Sequence, residues 1–145
     1  MHELKAALNQ IERLLYGMNY EVHLKLYGPA APELGLTSVL KTLVSAASEP
    51  SRVAPASVLH AMTIIKDCLL YKGDEGSGPL ALELKTAEIL SLIDKVFSSI
   101  DIEHADMVIE FAFKQGHPNY PVFWDFAFDL HVKDKRWIFV GSSSD

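Results

Sequence analysis

The chain is poor in cysteine: Cys68 stands alone among 145 residues, so no internal disulfide can form. It lies inside the apolar run SVLHAMTIIKDCLLY, where a thiol acts as a small hydrophobe, and the expected setting is a reducing compartment, the cytoplasm. Long apolar runs are also lacking. Nothing approaches the ~20 residues that span a bilayer, and the first residues, MHELKAALNQ, lack the basic stretch and apolar segment of a signal peptide. No membrane association is expected.

Basic residues are scarce and scattered. Thirteen Lys and Arg face nineteen Asp and Glu, a formal charge of −6, and the one local cluster, Lys133, Lys135 and Arg136, is interrupted by Asp134. The electrostatic footprint of a nucleic-acid binder is missing, and an acidic surface suits a basic partner better. The glycine-rich segment GDEGSGP lacks the Lys and Ser or Thr that would hold phosphate and magnesium, so it is no phosphate-binding loop. No cofactor is expected.

What remains is ordinary globular composition, 49% apolar and 22% charged, which predicts one domain over residues 1–140 with a frayed tail at 141–145. Apolar residues recur at helical spacing over 2–16, 37–48, 56–72, 80–99 and 102–115. They alternate over 20–27 and 122–132, and the hairpin closes with 137–140. The order predicts an α+β domain of about five helices packed on one face of a three-stranded antiparallel sheet. Leu59, Met62, Ile65 and Leu69 are the expected core face of the third helix, packed on Trp124 and Phe126.

Two stretches resemble each other. YEVHLKL (20–26) and FDLHVKD (128–134) both read acid, apolar, His, apolar, Lys. Antiparallel pairing with His23 opposite His131 sets Glu21 against Lys133 and Lys25 against Asp129, a self-complementary charge ladder. The same geometry brings His23, His131 and Asp129 together as candidate metal ligands, suited to zinc or iron in a hydrolase. A Lys two residues from each His opposes a second positive charge, so the ladder is the preferred reading. Asp106 and Glu110, one helical turn apart, are candidates to share a cation. His60 reads as a core or boundary histidine with one hydrogen bond.

One face of the expected sheet is too apolar for water. The side that carries Asp125, Asp129 and His131 also carries Phe123, Ala127, Ile138 and Val140, so something must cover it. The last helix or the 28–35 loop would serve; otherwise the cover is another protein. That makes Phe123, Asp125, Asp129 and Ile138 the expected contact surface for a basic protein partner, as in an inhibitor or immunity protein that neutralises a basic toxin or nuclease. The alternatives are the metal-dependent hydrolase and a homodimeric regulatory subunit whose sheets meet. No catalytic residue is assigned.

Overall fold

The computed structural model describes residues 2–145. In chain order the elements are α1 (His2–Leu15), β1 (Gly17–Met18), β2 (Glu21–Ala30), α2 (Leu36–Leu43), β3 (Glu49–Ala56), α3 (Val58–Leu69), β4 (Gly78–Pro79), α4 (Leu82–Ile100), a 3-10 turn (Ile102–His104), β5 (Met107–Gln115), β6 (Trp124–Val132) and β7 (Lys135–Ser144). The fold is α+β. Among the described residues, four helices accompany a five-stranded antiparallel sheet of order β2-β7-β6-β5-β3 and a two-stranded ribbon, β1-β4.

The sheet therefore has five strands rather than three, and the fifth helix is a strand. Residues 102–115 form only a 3-10 turn before β5 begins at Met107. Val108 is buried in the core under α3 and α4, whereas Phe111 is buried on the opposite side. Both faces of this strand are covered, so its apolar residues fall three apart and imitate a helix. The other missing strand, β3, carries Pro50 and Pro55. Proline cannot donate to a ladder and is confined to edges, and β3 is the sheet's edge beyond β5.

The largest departure lies at the C-terminus. Residues 141–144, expected as a frayed tail, continue β7 between β2 and β6, with Gly141 opposite both Leu24 and Phe126. Ser142 and Ser143 are buried. The β6–β7 hairpin also turns tighter than expected: Val132 pairs with Lys135 and Leu130 with Trp137, leaving Lys133 and Asp134 as a two-residue loop with Lys133 at φ 59. Closing the hairpin at 137 would pair Val132 with Trp137, so the register moves by two residues and the side chains within β6 and β7 keep their expected faces.

The helices do not all lie on one side. α1, α3 and α4 cover the main core, where Leu8, Ile11, Ile65, Leu69, Ile89 and Ile93 meet Val22, Phe126, Phe128, Leu130 and Phe139. α2 alone covers the reverse face, where Val39 and Leu40 pack with Phe111, Ala127, Ile138 and Val140. In α3 the buried stripe is Ala61, Ile65 and Leu69, while Leu59 is 75% exposed, so that helix is rotated from the expected face. It also starts later than expected, because Ser57 caps it by accepting from the His60 amide at 3.0 Å.

Candidate protein-binding surface

The twin stretches are not neighbours, because β7 runs between β2 and β6. His23 pairs with Ser142, which pairs on its other side with Asp125; His131 pairs with Arg136. Six residues of β6 separate those two rows, about 20 Å at the rise of an extended strand. Glu21 faces Ser144 and Lys25 faces Val140, so neither the charge ladder nor the His23, His131 and Asp129 site is assembled. No three His, Cys, Asp or Glu side chains converge as metal ligands among the described residues. Asp106 and Glu110 lie on or beside a strand instead of a helix. Asp106 accepts from the Lys133 amide at 2.8 Å, holding the hairpin loop, and Glu110 meets His60 at 3.1 Å.

The apolar face is closed within the chain by α2 rather than by the last helix, and from the 28–35 loop only the Leu34 carbonyl reaches in, to Arg136. Ile138 is fully buried beneath α2. Asp129 is 2% exposed and grips Arg136, with Nε donating to Oδ1 and Nη2 to Oδ2, each at 2.8 Å. Nη1 of the same guanidinium donates to the Leu34 carbonyl, and His131 Nε2 lies 3.2 Å from Asp129 Oδ1. A bidentate pair whose guanidinium also holds the Leu34 carbonyl is a structural clamp on the β2–α2 connection. Asp129 and Ile138 are thus interior residues, out of a partner's reach. Phe123 precedes the strand and turns to the helical side, where its ring meets Tyr20 at 5.5 Å and Tyr71 at 6.1 Å.

Of the four expected contact residues, only Asp125 opens to solvent, and it does so where α2 stops covering the sheet. The β5–β6 connection arches over this end. Gly116, at φ 73, packs so tightly that a Cβ would lie 2.5 Å from the Ser48 backbone, and the buried Ser48 hydroxyl donates to its carbonyl at 2.9 Å. The far end of the loop is held by the Val122 amide, which donates to the Ser143 carbonyl at 2.7 Å. Between these anchors a concavity of about 430 Å³ is lined by Phe113, Lys114, His117, Tyr120, Pro121 and Asp125 among others.

Within the concavity His117 has a fixed tautomer. The Asn119 amide donates to its Nδ1 at 2.9 Å, so the ring proton sits on Nε2, which is buried without a hydrogen-bond partner and lies 3.7 Å from Asp125 Oδ2. The ring rests edge-on against Phe113 at 5.1 Å. Burial lowers its pKa below the ordinary 6.5, and the Asp125 carboxylate opposes this only in part. The unfolded chain therefore binds a proton at this residue more readily than the folded chain does, and stability falls as the pH drops below about 6.5. Replacing His117 with Asn, whose side-chain oxygen can accept from the same amide, should flatten that decline between about pH 6.5 and 5 in urea titrations. An unchanged slope would show that the ring protonates freely in the fold.

Two features rule against thiol chemistry here. Cys68 is pushed up to about 12, first by burial and then by Asp125 and Asp67, so the thiol stays protonated and unreactive. It is half-buried against the main core. Comparison with protein-family models, curated proteins and solved structures finds no match. The sequence signal for the concavity was the segment HPNYP, an aromatic held between two prolines in a turn. Its His, which stands before a proline, reads on its own as a plain loop residue.

Proposed function

We propose that this chain is a non-catalytic protein-binding domain that recognises a basic partner, in the manner of an inhibitor or immunity protein, through the open end of its sheet. One observation carries the reading: Tyr120 is 84% exposed and Val122 46% exposed, on a loop pinned at both ends beside the half-exposed carboxylate of Asp125. A rigidly mounted aromatic next to a concavity has the anatomy of a binding anchor. A Lys or Arg side chain of the partner would enter the concavity, pair with Asp125 and lie against the Tyr120 ring. Lys114, which also lines the concavity, disfavours a cation away from Asp125. The formal charge of −6 would steer the encounter.

The test is affinity purification from the source cells with wild type, Tyr120→Ala and Asp125→Lys, followed by binding measurements on the purified partner. Tyr120→Ala should keep its melting temperature and weaken binding by roughly 2 kcal/mol or more, as for a central aromatic anchor. Asp125→Lys should mainly slow association, and the defect should shrink as salt rises. Equal binding by all three proteins would remove this surface from consideration.

A further inference from the structure

The two edges of the five-stranded sheet are built differently. At β3 the edge is broken: Pro50 and Pro55 supply no amide proton, Arg52 sits at φ 51, and the pairing with β5 shifts register twice. These are the devices that stop a sheet edge from pairing with another chain. β2 carries none of them over residues 21–27, where its ladder with β7 is unbroken.

The outward-facing groups of β2 can be assigned. The Leu24 amide donates to Glu12 Oε2 of α1 at 2.7 Å, so it points away from β7. In an antiparallel strand such groups alternate, which turns the backbone of Val22, Leu24 and Leu26 outward. Glu12 stands in for a single strand acceptor. On either side of it, concavities of about 470 and 400 Å³ separate α1 from the strand, one lined by Tyr16, Glu21 and His23, the other by Lys5, Asn9 and Lys25 among others. Tyr16, on the wall of the first, is 62% exposed.

The side chains that border this edge are complementary to themselves. Glu21 and Lys25 are exposed and flank His23 on one face. If a second β2 is laid antiparallel along the edge with His23 opposite its own copy, Val22 meets Leu24 of the other chain, and both have outward backbone groups, as a hydrogen-bonded pair requires. In that register Glu21 of each chain also faces Lys25 of the other, twice across the two-fold axis. Moving the axis to residue 21 or 25 would set Glu against Glu or Lys against Lys. Backbone geometry permits this pairing, and charge favours it.

We propose that the β2 edge docks a second copy of this chain, joining two five-stranded sheets antiparallel about His23. The amide of Leu24 exchanges Glu12 for the Val22 carbonyl of the second chain, and Tyr16 is covered near the axis. This inference is independent of the Tyr120 surface.

Sedimentation velocity over a concentration series tests it. Wild type should dimerise, and Glu12→Ala should dimerise more tightly, because it removes the competitor for the Leu24 amide. Glu21→Lys and Lys25→Glu should each weaken the dimer by about tenfold or more, since two attractive pairs become two repulsive ones. Mixed in equal amounts, those two variants should form a heterodimer, because every Lys of one chain then faces a Glu of the other. Both substitutions are at exposed positions, and unchanged circular dichroism will confirm that the fold is kept. A wild type and Glu12→Ala that both remain monomeric would overturn the proposal. So would a dimer indifferent to the single charge exchanges, which would place the contact elsewhere.

Discussion

Asp129→Ala should lower stability by about 3–5 kcal/mol, the cost of stranding a buried charge. Arg136 is 2% exposed, so once the carboxylate is gone its guanidinium keeps only the Leu34 carbonyl, which supplies no compensating negative charge. Replacing the whole pair, Asp129→Leu with Arg136→Met, should recover most of the loss. A hydrophobic pair of similar volume avoids the desolvation that the ions incur, and such exchanges are often neutral or stabilising. The two positions are in contact, so the coupling in a double-mutant cycle should be large. Urea unfolding of the three variants measures it. If Asp129→Ala cost less than about 1 kcal/mol, water would have to reach the pair, and α2 with the β2–α2 connection could not be the closed cover described above.

The clamp also shows what a sequence reading can and cannot reach. Alternation along β6 and β7 placed Asp129, Ala127, Ile138 and Val140 on one face, and the structure agrees. It further required that face to be covered. The identity of the cover was not legible, because α2 is only eight residues long and its amphipathic stripe is indistinguishable from that of a helix packed on the main core. With strands over 122–132 and 137–140, Arg136 falls in the connection between them, and the acid at 129 reads as a contact charge with no partner inside the chain. With the shorter hairpin loop, Arg136 moves into the strand opposite His131, and from there its guanidinium reaches Asp129.

The candidate surface was half legible for a related reason. Asp125 falls on the face that the alternation gives it, and it is open because the cover ends before the sheet does. Phe123 follows Pro121 outside the regular strand, where period two no longer applies, so its ring goes to the helical side with Tyr20 and Tyr71. The resemblance between 20–26 and 128–134 was real in sequence yet did not mean adjacency. Each stretch pairs with β7, a strand whose second half reads Gly-Ser-Ser-Ser and carries no hydrophobic signal.

That inconspicuous segment is the basis of the strongest test. Deleting residues 141–145 should abolish cooperative unfolding, whereas loss of a frayed tail would leave the melting temperature unchanged. The deleted residues pair on one side with Glu21, Val22, His23 and Leu24, and on the other with Trp124, Asp125 and Phe126. Their removal would leave both neighbouring strands with unpaired backbone groups in the middle of a buried sheet, each costing about 1–3 kcal/mol. The composition of the segment follows from its surroundings. A Cβ at Gly141 would lie 2.3 and 2.4 Å from two ring atoms of Phe126 and 3.1 Å from Leu24, so the Phe126 ring and Leu24 occupy the volume that a side chain would need. Phe126 cannot easily retreat, because its ring stacks on Trp124 and meets Phe139 edge-on at 5.1 Å. Gly141→Ala should therefore cost about 1–3 kcal/mol through overpacking, and Phe126→Leu in the same chain should give part of that back. A Gly141→Ala protein as stable as wild type, together with a truncated chain that still unfolds cooperatively, would show that β7 ends at Val140 and that the sheet's centre lies elsewhere.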